Sequence, residues 1–88
     1  MFYYFAYTVS HGYFHKTFLS KLCMNEYEVV KELVTFHNSE DIEFFLGDNE
    51  KIMSLGQSLK DTMSQIMKIY DKYDDITANI EMVEAELI

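Results

Sequence analysis

A single cysteine, Cys23, excludes an internal disulfide, and three isolated glycines exclude a Gly-rich phosphate loop. Proline, tryptophan and arginine are missing altogether. No apolar run approaches the roughly eighteen residues of a membrane-spanning helix. The first residues carry neither the basic stretch nor the small-residue cleavage site of a signal peptide, so the chain is expected to be soluble and cytoplasmic. His11, His15, His37 and Cys23 are too few and too scattered for a zinc site, and no metal or cofactor is expected. No nucleophile has a base and an orienting group beside it, so no enzyme activity is expected. Acid is missing from the start of the chain: residues 1–25 hold Lys16 and Lys21 and no Asp or Glu, whereas residues 26–88 hold five Lys against fifteen acids, for a net charge of −8. That balance is unsuited to gripping the backbone of duplex DNA. Eighty-eight residues bury a modest fraction of their surface. With disulfides and metals set aside, association with another chain is the expected support.

What is present is unevenly placed. Eight of the fourteen Phe and Tyr residues lie in the first eighteen positions. Residues 2–10 and 13–22 are aromatic and β-branched and read as two strands of a hairpin joined at His11-Gly12. Pairing across that loop sets Val9 opposite Phe14, Tyr7 opposite Lys16 and Phe5 opposite Phe18. One face then holds Tyr3, Phe5, Tyr7, Val9, Phe14 and Phe18 and belongs to the core. The other holds Phe2, Tyr4, Ala6, Thr8, His15, Thr17, Leu19 and Lys21. An isolated hairpin is marginal in water, so its apolar face needs a cover.

Asn25 followed by Glu28 reads as a capping box opening a helix over 26–37, with Val30, Leu33, Val34 and His37 on one stripe. Residues 42–46 admit two readings. Ile42, Phe44 and Leu46 alternate as in a short strand, whereas Ser39 and Gly47 would cap a short helix; the strand is slightly preferred. From Ile52 onward a heptad pattern emerges. Positions a are Ile52, Leu59, Ile66, Tyr73, Ile80 and Leu87; positions d are Leu55, Thr62, Ile69, Ile76 and Val83. None is charged and only Thr62 is polar, so the segment reads as one helix over 49–88, capped by Asp48 and about 60 Å long. No Pro interrupts it, and Gly56 costs it about 1 kcal/mol. The expected architecture is α+β: a hairpin and short helix over 1–47, then a long coiled-coil-like helix over 48–88.

Such a helix outruns the rest of the chain, so its second half is expected to bury Ile66, Ile69, Tyr73, Ile76, Ile80, Val83 and Leu87 against other copies. Phe2, Tyr4, His15 and Lys21, on the hairpin face not needed for the core, are the expected surface for a protein partner. Aromatic rings beside a cation are equally what a nucleotide stacks on, which keeps nucleotide sequestration as the alternative.

The stretch MFYYFAYTVSHGYFHKTFLSK, followed by an acidic helix, resembles small phage-encoded accessory proteins that open with an aromatic hairpin. DNEKIMSLGQSLKDTMSQI is similar to a helical stretch of phage proteins that sequester cyclic-nucleotide immune signals as oligomers. Absent Arg beside abundant Ile, Asn, Lys, Tyr and Phe fits an AT-rich gene of the same kind of source. The resemblance implies a viral or mobile-element origin and assigns no binding residue; the expected function is a self-assembling interaction module, an inhibitor of host defence or an accessory factor acting on a host protein.

Overall fold

The ten residues Phe2–His11 alternate in burial along their whole length, and Phe5, Tyr7 and Val9 have no exposed surface. They form strand β1, the centre of a three-stranded antiparallel sheet ordered β2-β1-β3 in this computed structural model, which describes residues 2–53 and 56–85. Strand β2 is Phe14–Leu19 and β3 is Ile76–Ala85. The hairpin loop is Gly12-Tyr13, one residue later than expected, with His11 opposite Phe14 and Tyr7 opposite Phe18. Gly12 takes φ +61°, which Gly adopts freely, whereas His11 stays in the ladder. The change moves each pairing by two positions, so the division of side chains between the two faces is unaltered. Beyond Leu19 the ladder resumes as Tyr3 opposite Cys23, with one residue more on this side than a regular register holds. Phe5 and Ser20 close that gap, through Phe5 N–H to Ser20 Oγ at 3.0 Å and Ser20 N–H to the Phe5 carbonyl at 2.9 Å.

Helix α1, Glu26–His37, begins as its sequence suggests. Asn25 Oδ1 accepts from Glu28 N–H at 2.9 Å, and Glu28 Oε2 accepts from Met24 N–H at 2.7 Å. Residues 40–46 are a helix, α2, and not the preferred strand. Ile42 and Leu46, four apart, are both buried, whereas Phe44 between them is exposed, which is helical spacing. Gly47, at φ +80°, ends the helix by donating to the Glu43 carbonyl. A single 3₁₀ turn, Asp48–Glu50, follows. Helix α3, Leu59–Tyr70, is capped by Ser58, whose Oγ accepts from Asp61 N–H.

The long helix over 49–88 is therefore absent, and with it the coiled coil. Asp48 starts a 3₁₀ turn rather than capping a rod. Helix stops at Tyr70, where Asp71, Lys72 and Tyr73 donate back to Met67, Ile69 and Tyr70 in a tightening turn. From Ile76 the chain pairs with β1 from end to end, from His11 opposite Ile76 to Phe2 opposite Ala85. Ile76, Ala78, Ile80 and Met82 face the helices, and Thr77, Asn79, Glu81 and Val83 face away, as required by their partners on β1. The seam residues are thus dispersed. Ile66 is fully buried and Ile69 half-buried on α3, Tyr73 is in the turn, Ile76, Ile80 and Val83 are on β3, and Leu87 and Leu55 lie outside the described residues. A free edge of β1, ten residues long, outcompetes a solvent-exposed helical extension in whose last turns every charged residue is an acid.

All three helices lie on one face of the sheet. Phe5, Tyr7 and Val9 meet Val30, Leu33 and Phe36 of α1, Ile42 of α2 and Ile66 of α3 in one core. The extended chain after the 3₁₀ turn contributes Ile52, whose N–H and carbonyl both bond the Asn38 side chain, at 2.8 and 2.7 Å. Among the described residues no helix is long and apolar enough to cross a membrane. Asn38→Ala removes both bonds to the connection that carries Ile52 and should cost about 2 kcal/mol in urea unfolding. A loss below about 0.5 kcal/mol would show that the connection is held elsewhere.

Candidate functional site

Two groups of residues stand out chemically: a buried polar chain and an exposed aromatic cleft. The buried chain runs through the middle of the core. Tyr7 projects from β1, His37 from the last turn of α1 and Tyr70 from the last turn of α3, and all three are almost completely buried. His37 Nε2 lies 2.7 Å from the Glu50 carbonyl, an obligate acceptor, so Nε2 carries the proton. In the neutral ring Nδ1 then accepts from the Tyr7 hydroxyl at 2.9 Å, and the Tyr7 oxygen accepts from Tyr70 at 2.7 Å. Burial lowers the His37 pKa below its usual value, against the opposing pull of the Glu50 carbonyl and carboxylate. Burial likewise pushes the Tyr7 phenol up, with Tyr70 adding to the effect, and pushes Tyr70 up to about 12. The three groups are neutral, mutually satisfied and shut away from solvent. They hold the fold together and offer no proton to a substrate. The Glu50 carboxylate faces outward, where it meets Lys72 Nζ at 2.8 Å and the Tyr73 hydroxyl at 3.2 Å.

The second group is at the surface. A cleft of about 360 Å³ opens between β2 and α2, lined by Phe14, His15 and Lys16 on one side and Glu40, Asp41, Phe44 and Phe45 on the other. Phe14 and Phe44 meet edge to face at 6.3 Å, and Phe44 meets Phe45 at 5.3 Å. Phe14 is 64% exposed, Phe44 74%, and Tyr13 at the hairpin tip projects wholly into solvent. Three aromatic rings at the surface forgo about 1.5–3 kcal/mol each of burial, which a partner can recover. Lys16 and Asp41 form an ion pair at 3.6 Å across the cleft. Glu40 and Asp41, in the first turn of α2, give the rim a negative charge favoured by the helix dipole, while Glu43 in the same turn pairs with Lys51 at 3.7 Å.

The four surface residues expected from the sequence are not one cluster. Phe2 and Tyr4 sit half-buried on the open face of the sheet, opposite Ala85 and Val83. His15 pairs with Ser10, six positions further along β1 than Tyr4 and hence about 20 Å away. It reaches the aromatic cleft. Lys21 lies beyond β2, beside a smaller hollow of about 220 Å³ with Tyr27, Glu28 and Lys31. A nucleotide site built from Tyr4, His15 and Lys21 is not assembled. His11 pairs with Asp75 at 3.0 Å, away from His15, and among the described residues no three His, Cys, Asp or Glu side chains gather as metal ligands. Phe44 and Phe45 were not among the expected surface residues. Read helically, Ile42 and Leu46 claim the core and leave Phe44 outside, which is the signal that was available. The chain matches no family model, curated protein or solved structure.

The buried chain has a pH signature. Because the folded pKa of His37 is lowered, the unfolded chain binds this proton first as pH falls. Its contribution to stability is complete above the unfolded value of about 6.5 and is lost as pH drops below it towards the folded value, with a slope of at most about 1.4 kcal/mol per pH unit. His37→Gln, which cannot titrate, should flatten stability between mildly acidic and neutral pH in chemical denaturation. Identical slopes for variant and wild type would remove His37 as the cause.

Proposed function

We propose that this protein is a non-enzymatic interaction module that grips a partner protein at the hairpin tip and α2. The observation carrying this reading is the exposed Phe14–Phe44 pair at the mouth of an acidic-rimmed cleft. Aromatic side chains dominate interface energetics when a partner desolvates them, and truncation of such an anchor commonly costs 2 kcal/mol or more. The open mouth suits an inserted side chain better than enclosure of a whole metabolite. Glu40 and Asp41 on the rim, in a chain of net charge −8, select a partner segment that presents an apolar or aromatic anchor flanked by Lys or Arg. Among the described residues Lys16 is the one lysine lining the cleft, and its pairing with Asp41 leaves Glu40 for such a partner.

A displayed library of random peptides selected on the full chain tests this reading. Enriched peptides should share an aromatic or aliphatic residue flanked by basic ones, and their binding should weaken as salt is raised. Phe14→Ala and Phe44→Ala should each reduce affinity about tenfold or more. Since Phe44 is exposed, Phe44→Ala should unfold at nearly the wild-type temperature. Failure to enrich any peptide, or enriched peptides that bind Phe44→Ala as tightly as wild type, would refute the assignment.

A further inference from the structure

We infer that the outer edge of β3 pairs with the β3 of a second copy, giving a continuous six-stranded sheet with both sets of helices on one face. β3 is bonded to β1 along one edge over all ten residues, and among the described residues no backbone bond joins its other edge to another segment. A free edge of that length is a template for another strand unless something blunts it. β2, the opposite edge, is blunted: it has six residues, it points the charged Lys16 towards the helix side, and its register breaks just beyond Leu19. β3 is blunted only near its end. Its register is unbroken, and four of its five helix-facing residues, Ile76, Ala78, Ile80 and Met82, carry no charge; the fifth, Glu84, stands one residue from the end of the strand.

The apolar surface on this flank is also incompletely covered. Ala78, Ile80 and Met82 of β3, with Met63, Met67 and Ile69 of α3, pack against the core yet remain half-exposed. A strand added outside β3 extends the sheet beneath that row.

The sequence of β3 is complementary to itself. Residues directly opposite in a ladder share a face, so a two-fold axis must pass through a residue rather than between two. Placed on Ile80, it sets Ile80 of each copy face to face, Ala78 of one opposite Met82 of the other, and Thr77 opposite Val83. Glu81 then faces Asn79, whose amide can donate to the carboxylate, and Glu84 faces Ile76 at the margin. Placed on Glu81, the axis opposes two carboxylates. Placed on Met82, it sets Ile80, near the middle of the strand, against Glu84. An axis on Asn79 also avoids both, with Ala78 opposite Ile80 and Ile76 opposite Met82, but it pairs only residues 76–82 within the strand and brings Glu84 to Asp74; the Ile80 register pairs residues 76–84 and keeps Ile80, Ala78 and Met82 in apolar pairs. Each copy carries a charge of −8, so added salt strengthens the association.

Sedimentation of the full chain from micromolar to sub-millimolar concentration tests the pairing. The expected result is a reversible monomer–dimer equilibrium that shifts towards dimer as salt rises. Asn79 is exposed on the open face, so its substitution spares the core. Asn79→Glu, which puts two acids opposite Glu81 across the symmetric junction, should weaken the dimer about tenfold; Asn79→Lys should tighten it by a similar factor. Phe44→Asp should leave it unchanged, which separates this edge from the aromatic cleft. A monomer at every concentration and salt level, or a dimer insensitive to both Asn79 variants, would overturn the inference.

Discussion

The Tyr7 hydroxyl is the point on which the two layers of this molecule converge. Tyr7 sits in the middle of the central strand and faces the helices, fully buried, so its oxygen has no water to fall back on. It is satisfied only if the last turn of α1 brings His37 to 2.9 Å and the last turn of α3 brings Tyr70 to 2.7 Å. A buried hydroxyl left without a partner costs about 1–3 kcal/mol, and here three such groups stand or fall together. Phe36 adds an edge-to-face contact with the Tyr7 ring at 5.0 Å, fixing its tilt. His37 extends the chain one step further, to the Glu50 carbonyl, and so pins the connection that follows α2.

The path of the C-terminal segment follows from the same constraint. With the end of α3 held over the middle of β1, the chain leaving Tyr70 turns at Tyr73 and meets the start of β3 beside the hairpin tip. There His11 bonds Asp75 at 3.0 Å. From that point the free edge of β1 is the nearest surface able to satisfy backbone N–H and carbonyl groups, and it is long enough to take Ile76–Ala85 whole. The two proposed contact surfaces then fall at opposite sides of the sheet, the aromatic cleft beside β2 and the self-pairing edge at β3. A pair of copies joined through β3 holds its two clefts at the outer ends, so a partner with two binding segments gains from their linkage.

Much of the first half of this arrangement can be read from residues alone. Asn25 and Glu28 mark the start of α1, and alternation in Phe2–Ser10 separates the buried from the open side of β1. The second half misleads because two periods coincide. Ile76, Ile80 and Val83 fall on heptad positions, yet Ile76, Ala78, Ile80 and Met82 also alternate with Thr77, Asn79 and Glu81. Within ten residues the two patterns cannot be told apart by counting apolar positions. What decides is the free edge of β1, a property of the folded sheet, although Asp74-Asp75 and the β-branched run after them hint at a turn and a strand. The aromatic cleft was hidden by the same kind of ambiguity. Phe44 reads as an inward strand residue and is an outward helical one, and its pairing with Phe14 joins residues thirty positions apart. Tyr7, His37 and Tyr70 likewise meet only through the fold, since their spacing follows no local period.

The proton positions in the buried chain are the most direct measure of this account. A long-range ¹H–¹⁵N correlation spectrum of the His37 ring near neutral pH should show a neutral imidazole with the proton on Nε2 and a bare Nδ1 accepting from Tyr7. A ring protonated on Nδ1, or on both nitrogens, would mean that Tyr7 does not join the sheet to α1 and α3 in the way described.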